Sequence, residues 1–243
     1  MLVGDLSQIE LCILAYYLQE FCDDRTMADG IREGKDVHTA NTENWYGIDE
    51  GDDGFNDKRK IAKNGIFSVN YDASPMRVSL TLNISVKEAE EIISAVYENT
   101  EIKQLKELFY QVVETLRDIK PLQYRSSLYY NGFFYDCLGV RYFYPEISSR
   151  DVKLQKKARR RSFNALLQGG CFSLFATLLL KLLPEMKKRG AWLSAAVHDE
   201  AVILVPDAYA EELLAICQRD FTYMLGDVPI RASFKLVNNW SEK

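Results

Sequence analysis

Residues 2–6 form a short apolar run around Asp5, and Ile9, Ile13, Tyr16 and Tyr17 then recur at helical spacing. The pattern predicts a strand, an aspartate at its end and then a helix, with Ser7 as N-cap and Glu10 completing a capping box. Residues 44–56 are acidic and loop-like, and a helix is predicted from Asp57 to about Tyr71. Residues 86–120 read as two helices, divided near Asn99 and Thr100 and ended before Pro121. The Tyr- and Phe-rich stretch 127–144, with Gly132 and Gly139, predicts loop and short strands. A long helix over 153–183 ends at Pro184. Residues 192–205 are an almost unbroken β-type run interrupted only by His198, Asp199 and Glu200, which predicts a buried hairpin with a polar tip. A helix over 208–225 and a strand over 230–237 follow, and no repeat, low-complexity segment or linker is visible.

Composition narrows the class without changing this picture. At 243 residues, 47% hydrophobic and 27% charged, the chain is long enough for one or two domains with a sizeable core. A disordered chain, a collagen-like repeat and a disulfide scaffold are excluded. The apolar stretch 174–183 is broken by Thr177 and Lys181 and falls short of the roughly 18 residues of a membrane span, so no membrane role is expected. No secretory signal pattern is visible. The 5 cysteines are scattered and lack C-x-x-C spacing, so a reduced compartment and no cysteine zinc site are expected.

Net charge is −5, but its distribution is uneven. Residues 1–57 hold 14 Asp/Glu against 3 Lys/Arg, whereas the rest holds 21 against 27. Residues 150–161 carry seven cations and one acid, Asp151. An acidic opening and a basic body are compatible with a polyanionic partner, though taken alone they favour a solvated basic helix face.

Candidate chemistry sits on two far-apart acids. Asp5 ends a predicted strand and Asp199 sits at a predicted hairpin tip. Carboxylates at strand ends of one sheet can converge and bind Mg²⁺, which favours substrate phosphate as a further ligand. Such a pair can hold two ions roughly 3.5–4 Å apart. Taken singly, Asp5 reads rather as a helix cap and the 198–200 tripeptide as a polar turn. Between them, Arg59, Lys63, Phe67 and Tyr71 recur every four residues, so a helix would carry cation, cation, aromatic, aromatic along one stripe. Such a stripe suits a nucleoside triphosphate from phosphates to base, or a solvated basic edge beside two core aromatics.

In order, these segments resemble the polymerase region of family A DNA polymerases, the bacterial polymerase I group. Asp5-Leu6-Ser7-Gln8-Ile9-Glu10-Leu11 resembles the first motif, D-x-S-Q-I-E-L-R, and Asp36-Val37-His38 the D-[IV]-H segment. Arg59, Lys63, Phe67 and Tyr71 match R-x3-K-x3-F-x3-Y-G, and Arg160, Asn164, Gln168 and Gly169 match R-x3-N-x3-Q-G. His198-Asp199-Glu200 matches H-D-E, and Asn239-Trp240 resembles the closing N-W.

The resemblance implies an α/β (α+β) fold: a palm with an antiparallel sheet (1–30 and 141–243), helical fingers (31–140, with the nucleotide helix at 57–72) and no thumb. It implies template-directed addition of deoxynucleotides to a primer by two Mg²⁺ ions, with Mn²⁺ as a substitute. Asp5 and Asp199 would hold the metals with the Leu6 carbonyl, and Glu200 would support them. Glu10 would be the steric gate against a ribose 2′-hydroxyl. Gln8, His38, Arg59 and Lys63 would contact the triphosphate, Phe67 would stack beside base and sugar, and Tyr71 would close the pocket near the templating base. Arg141, Arg160, Asn164, Gln168 and His198 would touch primer–template DNA. The cytoplasm of a bacterium or of a phage-infected host is the expected location.

The chain departs from the family's pattern in places. Cys12 replaces the first motif's Arg, and Asp72 replaces the Gly after Tyr71. Gly65 lies inside the nucleotide helix, where it costs about 1 kcal/mol relative to Ala and would loosen it. Val140-Arg141-Tyr142 stands where three basic residues are usual. These are the marks of a divergent, phage-like member. Only four residues precede Asp5, so the thumb and upstream palm, with or without an exonuclease, are expected on a second polypeptide, the alternative being that this sequence is a piece of a longer chain. Two rival readings are a single-subunit RNA polymerase, against which Glu10 and Phe67 argue, and an inactive polymerase-like DNA-binding subunit, against which Asp5, Asp199, Arg59 and Lys63 argue.

Overall fold

The computed structural model describes residues 1–116, 122–124, 127–129 and 132–242. The elements are β1 (Leu2–Leu6), α1 (Ile9–Cys22), α2 (Thr26–Arg32), α3 (Val37–Tyr46), α4 (Phe55–Asn70), α5 (Pro75–Leu82), α6 (Val86–Asn99), α7 (Ile102–Thr115), β2 (Leu122–Tyr124), β3 (Ser127–Tyr129), β4 (Gly132–Tyr135), β5 (Arg141–Tyr144), α8 (Val152–Lys188), β6 (Trp192–Val197), β7 (Glu200–Leu204), α9 (Ala210–Asp220), β8 (Tyr223–Leu225), β9 (Val228–Ile230) and β10 (Ala232–Leu236). They form two compact units, residues 1–16 with 167–243, and residues 17–166. The division falls inside α1 and α8, whereas the expected domain boundaries follow residues 30 and 140.

The first unit is built on an antiparallel sheet of order β10-β1-β7-β6. Alternation along β1 sends Leu2, Gly4 and Leu6 to one face and Val3 and Asp5 to the other. On the first face Phe175, Phe221 and Phe234 stack edge to face, with ring centroids 5.9 and 5.2 Å apart. The Phe234 ring lies over Gly4, where any Cβ would stand 2.4 Å from it. On the second face Val3 and Val202 form a small cluster with Val237. Asp5 shares that face with them.

The predicted hairpin forms, with two residues at its tip, but only β7 is buried. β6 is one of the sheet's two edge strands, with Trp192, Leu193 and Val197 exposed. An apolar run alone does not separate a central strand from an edge strand. The helix predicted over 208–225 stops at Asp220 and its end becomes β8, which pairs with β9.

The second unit packs α4 against α3 and α6, and α7 against β4. α6 opens with a full capping box, Ser85 with Glu88. Phe109 meets Phe134 and Phe163 edge to face at 5.0 and 5.7 Å and anchors the core between α7, β4 and α8. The two helices expected over 86–120 are α6 and α7, and the expected end before Pro121 lies outside the described residues.

α8 runs through Pro184 to Lys188 rather than ending there. Proline removes the bond to the carbonyl four residues back. That residue is Leu180, which is exposed, so the missing bond falls on a solvent-facing part of the helix. By length and composition α8 could cross a membrane, contrary to the reading from 174–183. Here it is a core helix, with Phe163, Leu167, Leu174, Phe175, Leu178 and Leu182 buried.

Candidate active site

In the sheet unit the register pairs Asp5 of β1 with Glu200 of β7 and with Ser233 of β10. Directly opposed residues have Cα atoms about 4.5–5.5 Å apart and the next residue lies 3.8 Å on, so Asp5 and Asp199 are at most roughly 9 Å apart at Cα. Asp199 sits in the two-residue turn behind His198, whose φ is 58°. Glu200 is buried, and its Oε1 accepts a 2.9 Å bond from the Trp240 indole N–H. Trp240, matched in sequence but without a role, thus holds the carboxylate opposite Asp5.

Among the described residues no group of three or more His, Cys, Asp or Glu forms a metal cage. An Asp5–Asp199 carboxylate pair is a donor set that suits Mg²⁺, which usually takes one or two carboxylates and fills its shell with water and substrate phosphate. Leu6, whose carbonyl is the further donor implied, ends β1 opposite Ala232.

Gln8 rather than Ser7 occupies the N-cap position of α1: its φ is 52° and its carbonyl accepts from Cys12 N at 3.0 Å. The Ser7 N–H bonds the Arg231 carbonyl instead, at 2.8 Å. Glu10, half-buried, stands in the first turn of α1. Cys12 is a core residue, its thiol pushed up to about 12 by burial against the pull of Arg231. Where the motif has a charged side chain, this chain has a neutral one in the core.

In the helical unit α4 carries the four-residue stripe. Arg59 donates to Asp36 from Nε (3.2 Å) and Nη2 (2.8 Å), and to Thr39 Oγ1 at 3.2 Å. Asp36 also caps α3, accepting from Thr39 N at 2.8 Å. Burial raises its carboxyl pKa, but these bonds and the Arg59 charge outweigh burial and leave it lowered. A groove of about 660 Å³ beside them is also lined by Glu43 and Glu50. Lys63, one turn on, is exposed and makes no ion pair among the described residues. It is therefore the stripe's available cation, while Arg59 is already committed to Asp36.

His38 is buried, with its ring 6.0 Å from Phe67. Burial lowers its pKa to about 4, with Asp36 opposing and Lys63 and Arg59 assisting. At neutral pH it is an uncharged ring.

Tyr71, half-buried, caps the C-terminus of α4. Asp72 follows at φ 49°, and its carboxylate is bound by Lys106 and, at 3.3 Å, by the Tyr110 hydroxyl. The charge that replaces glycine is thus neutralised within the unit. Gly65 is equally well explained, because α6 packs on it and a Cβ there would stand 2.7 Å from Ile92 Cγ2. It is a point of close approach rather than of slack.

The residues expected to touch DNA lie on different elements. Arg141, exposed on β5, stacks 3.8 Å over Phe133 and 4.5 Å over Phe143. On α8, Arg160 and Gln168 are exposed, while Asn164 Oδ1 is buried without a partner among the described residues. His198 is exposed at its hairpin tip. Reasoning from sequence missed Lys106, although a lysine among Ile102, Leu105, Phe109 and Val113 on the apolar face of α7 is a visible signal.

Residues 1–242 match the model of DNA polymerase family A. The chain is 31% identical to the thermostable DNA polymerase I of Thermus filiformis, covering 100% of this chain and 27% of that protein. It is 26% identical to DNA polymerase I of Borreliella burgdorferi, over 98% of this chain and 25% of that one. It spans about a quarter of the length of these curated relatives. Among solved structures, the POL domain of Pol1 from M. smegmatis, in complex with DNA primer-template and dNTP, superposes with a TM-score of 0.77 at 22% identity, over 98% of this chain and 39% of that one.

Proposed function

The chain belongs to DNA polymerase family A, and from that premise we propose that it is the catalytic region of a template-directed DNA polymerase. It adds deoxynucleotides to a primer 3′-hydroxyl. The observation that carries this is the β1–β7 register, which sets Asp5 opposite Glu200 and beside Asp199. Asp5, Asp199 and the Leu6 carbonyl would hold two Mg²⁺ ions, or Mn²⁺ in their place. Bound there, the ions supply activation of the hydroxyl and neutralisation of the leaving phosphate.

The protein's own share is positioning. Glu200, its carboxyl group held by Trp240, would support the pair. Gln8, His38, Arg59 and Lys63 orient the triphosphate: Lys63 as an exposed cation, and neutral His38 as a hydrogen-bonding wall behind Phe67. Phe67 stacks on the incoming base and Tyr71 closes on the templating base. Glu10 crowds a 2′-hydroxyl. Arg141, Arg160, Asn164, Gln168 and His198 hold primer and template. The exposed outer strand β6, with Trp192, Leu193 and Val197, supports the further reading that a second polypeptide supplies upstream palm and thumb.

Primer extension with Mg²⁺ tests this. Asp199→Asn should reduce incorporation by about a thousandfold or more with folding intact, since it removes a metal ligand. Undiminished extension by that variant would favour an inactive binding subunit. Preference for ribonucleotides would favour an RNA polymerase. Processive extension by this chain alone would remove the second polypeptide.

A further inference from the structure

We propose that Lys106 is a positioning residue for the nucleotide helix: its ammonium, paired with Asp72, latches the last turn of α4 to α7 and thereby fixes Tyr71. This rests on the reading of Tyr71 as the residue that closes the pocket.

Lys106 lies on the apolar face of α7 with its side chain only 6% exposed. Its ammonium has three N–H donors. It donates to the Val69 carbonyl at 2.5 Å and to Asp72 Oδ1, and it stands 5.1 Å from the Phe163 ring centre. One buried cation therefore bridges a carbonyl in the final turn of α4 and a side chain three residues on. A cation at a helix C-terminus also complements the helix dipole.

Backbone bonds from Tyr71, Asp72 and Ala73 close that final turn, but two features work against it. Asn70 is buried, and neither its amide nitrogen nor its oxygen has a partner among the described residues. Asp72 adopts a left-handed φ of 49°, which a non-glycine residue takes only at a cost. Both features oppose the observed conformation, and Lys106, with Tyr110 bonded to the same carboxylate, opposes them in turn. The device has two inseparable halves, because a buried cation without its counter-ion is costly. It also accounts for an acid in the place of the motif's glycine: Asp72 is the counter-charge of Lys106, turned toward α7.

Two measurements on the full chain test the latch. Hydrogen exchange reads the terminal-turn amides of Tyr71, Asp72 and Ala73, which bond the carbonyls of Phe67, Val69 and Ser68. Single-nucleotide incorporation reads the KM for dNTP against the Kd for primer–template. Lys106→Met keeps the aliphatic stem. It should speed exchange at these amides by about tenfold and raise the dNTP KM by a similar factor, with DNA affinity changed by less than about twofold. Lys106→Met with Asp72→Gly removes both charges and the left-handed strain, and should return both readings to within about threefold of wild type. Unchanged exchange in the single variant, or a double variant no better than the single, overturns the proposal. If Lys106→Met does not fold, Asp72→Asn should move both readings in the same direction, and no change there overturns it equally. Wild type that incorporates nothing even when supplied with the upstream palm and thumb would count against the polymerase reading, while amide exchange would still decide the latch.

Discussion

His38, expected from sequence as a triphosphate contact, is buried among groups that together disfavour its charge. Burial alone penalises the imidazolium, and the cations Lys63 and Arg59 add to that penalty, while Asp36 opposes it. The folded pKa of about 4 lies below the roughly 6.5 of an unfolded chain. A group depressed in this way contributes stability that is fully present above the unfolded pKa. That stability is lost as pH falls from about 6.5 through about 4. Denaturant unfolding at pH 7, 5.5 and 4.5 should show this decline, and His38→Gln should flatten it. The chain has 2 histidines, so ring resonances can be assigned with one variant. A His38 ring that titrates near pH 6.5 would show that the site is wet and that the ring can carry charge toward a triphosphate.

Helix α4 shows at the scale of an element what sequence can and cannot convey. Its four-residue stripe and approximate ends were legible because they follow from period and composition within one segment. Gly65 read as a weakness because helix propensity is local, whereas its partner Ile92 lies on another helix. Gly65→Ala should gain about 1 kcal/mol of propensity but lose roughly 1–3 kcal/mol to overpacking, for a net destabilisation of about 1 kcal/mol. In an Ile92→Ala background, where the obstructing methyl is gone, the same change should be neutral or stabilising. Thermal melts of the four variants give the cycle, and equal effects in both backgrounds would refute the close-packing account. The other departures share this cause. Pro184 passed inside α8 because its missing bond falls on a solvent-facing turn. The hairpin 192–205 read as buried because its β-type residues carry no mark of which strand would have a neighbour on its far side. Position at a strand end and a hairpin tip singled out Asp5 and Asp199, but only the resemblance joined them, because nothing local in either segment points to a partner about 190 residues away.

For the whole molecule, net charge argues against a polyanion partner and the charge distribution argues for one. At physiological ionic strength fields decay over about 8 Å, so DNA would respond to the face it meets rather than to the total of −5. On α8, Lys153, Lys156, Lys157 and Arg160 are all exposed and recur at three- and four-residue intervals, which puts them on one side of the helix. Arg159 between them is paired with Glu114 and partly neutralised. The acids at 49–53 lie in the loop before α4, remote in sequence from that face. If the α8 stripe tracks a phosphate backbone, each contact contributes about 0.9 to the slope of log affinity against log salt. Lys156→Ala with Lys157→Ala should therefore lower the slope by about 1 to 2 and weaken binding to all sequences alike. Asp52→Asn with Asp53→Asn changes the net charge by the same amount in the opposite sense and should leave the slope as it was. Fluorescence anisotropy of labelled primer–template across a salt series distinguishes the two pairs. A slope unchanged by the lysine pair, or moved equally by the aspartate pair, would mean that overall charge rather than this helix face governs the encounter with DNA.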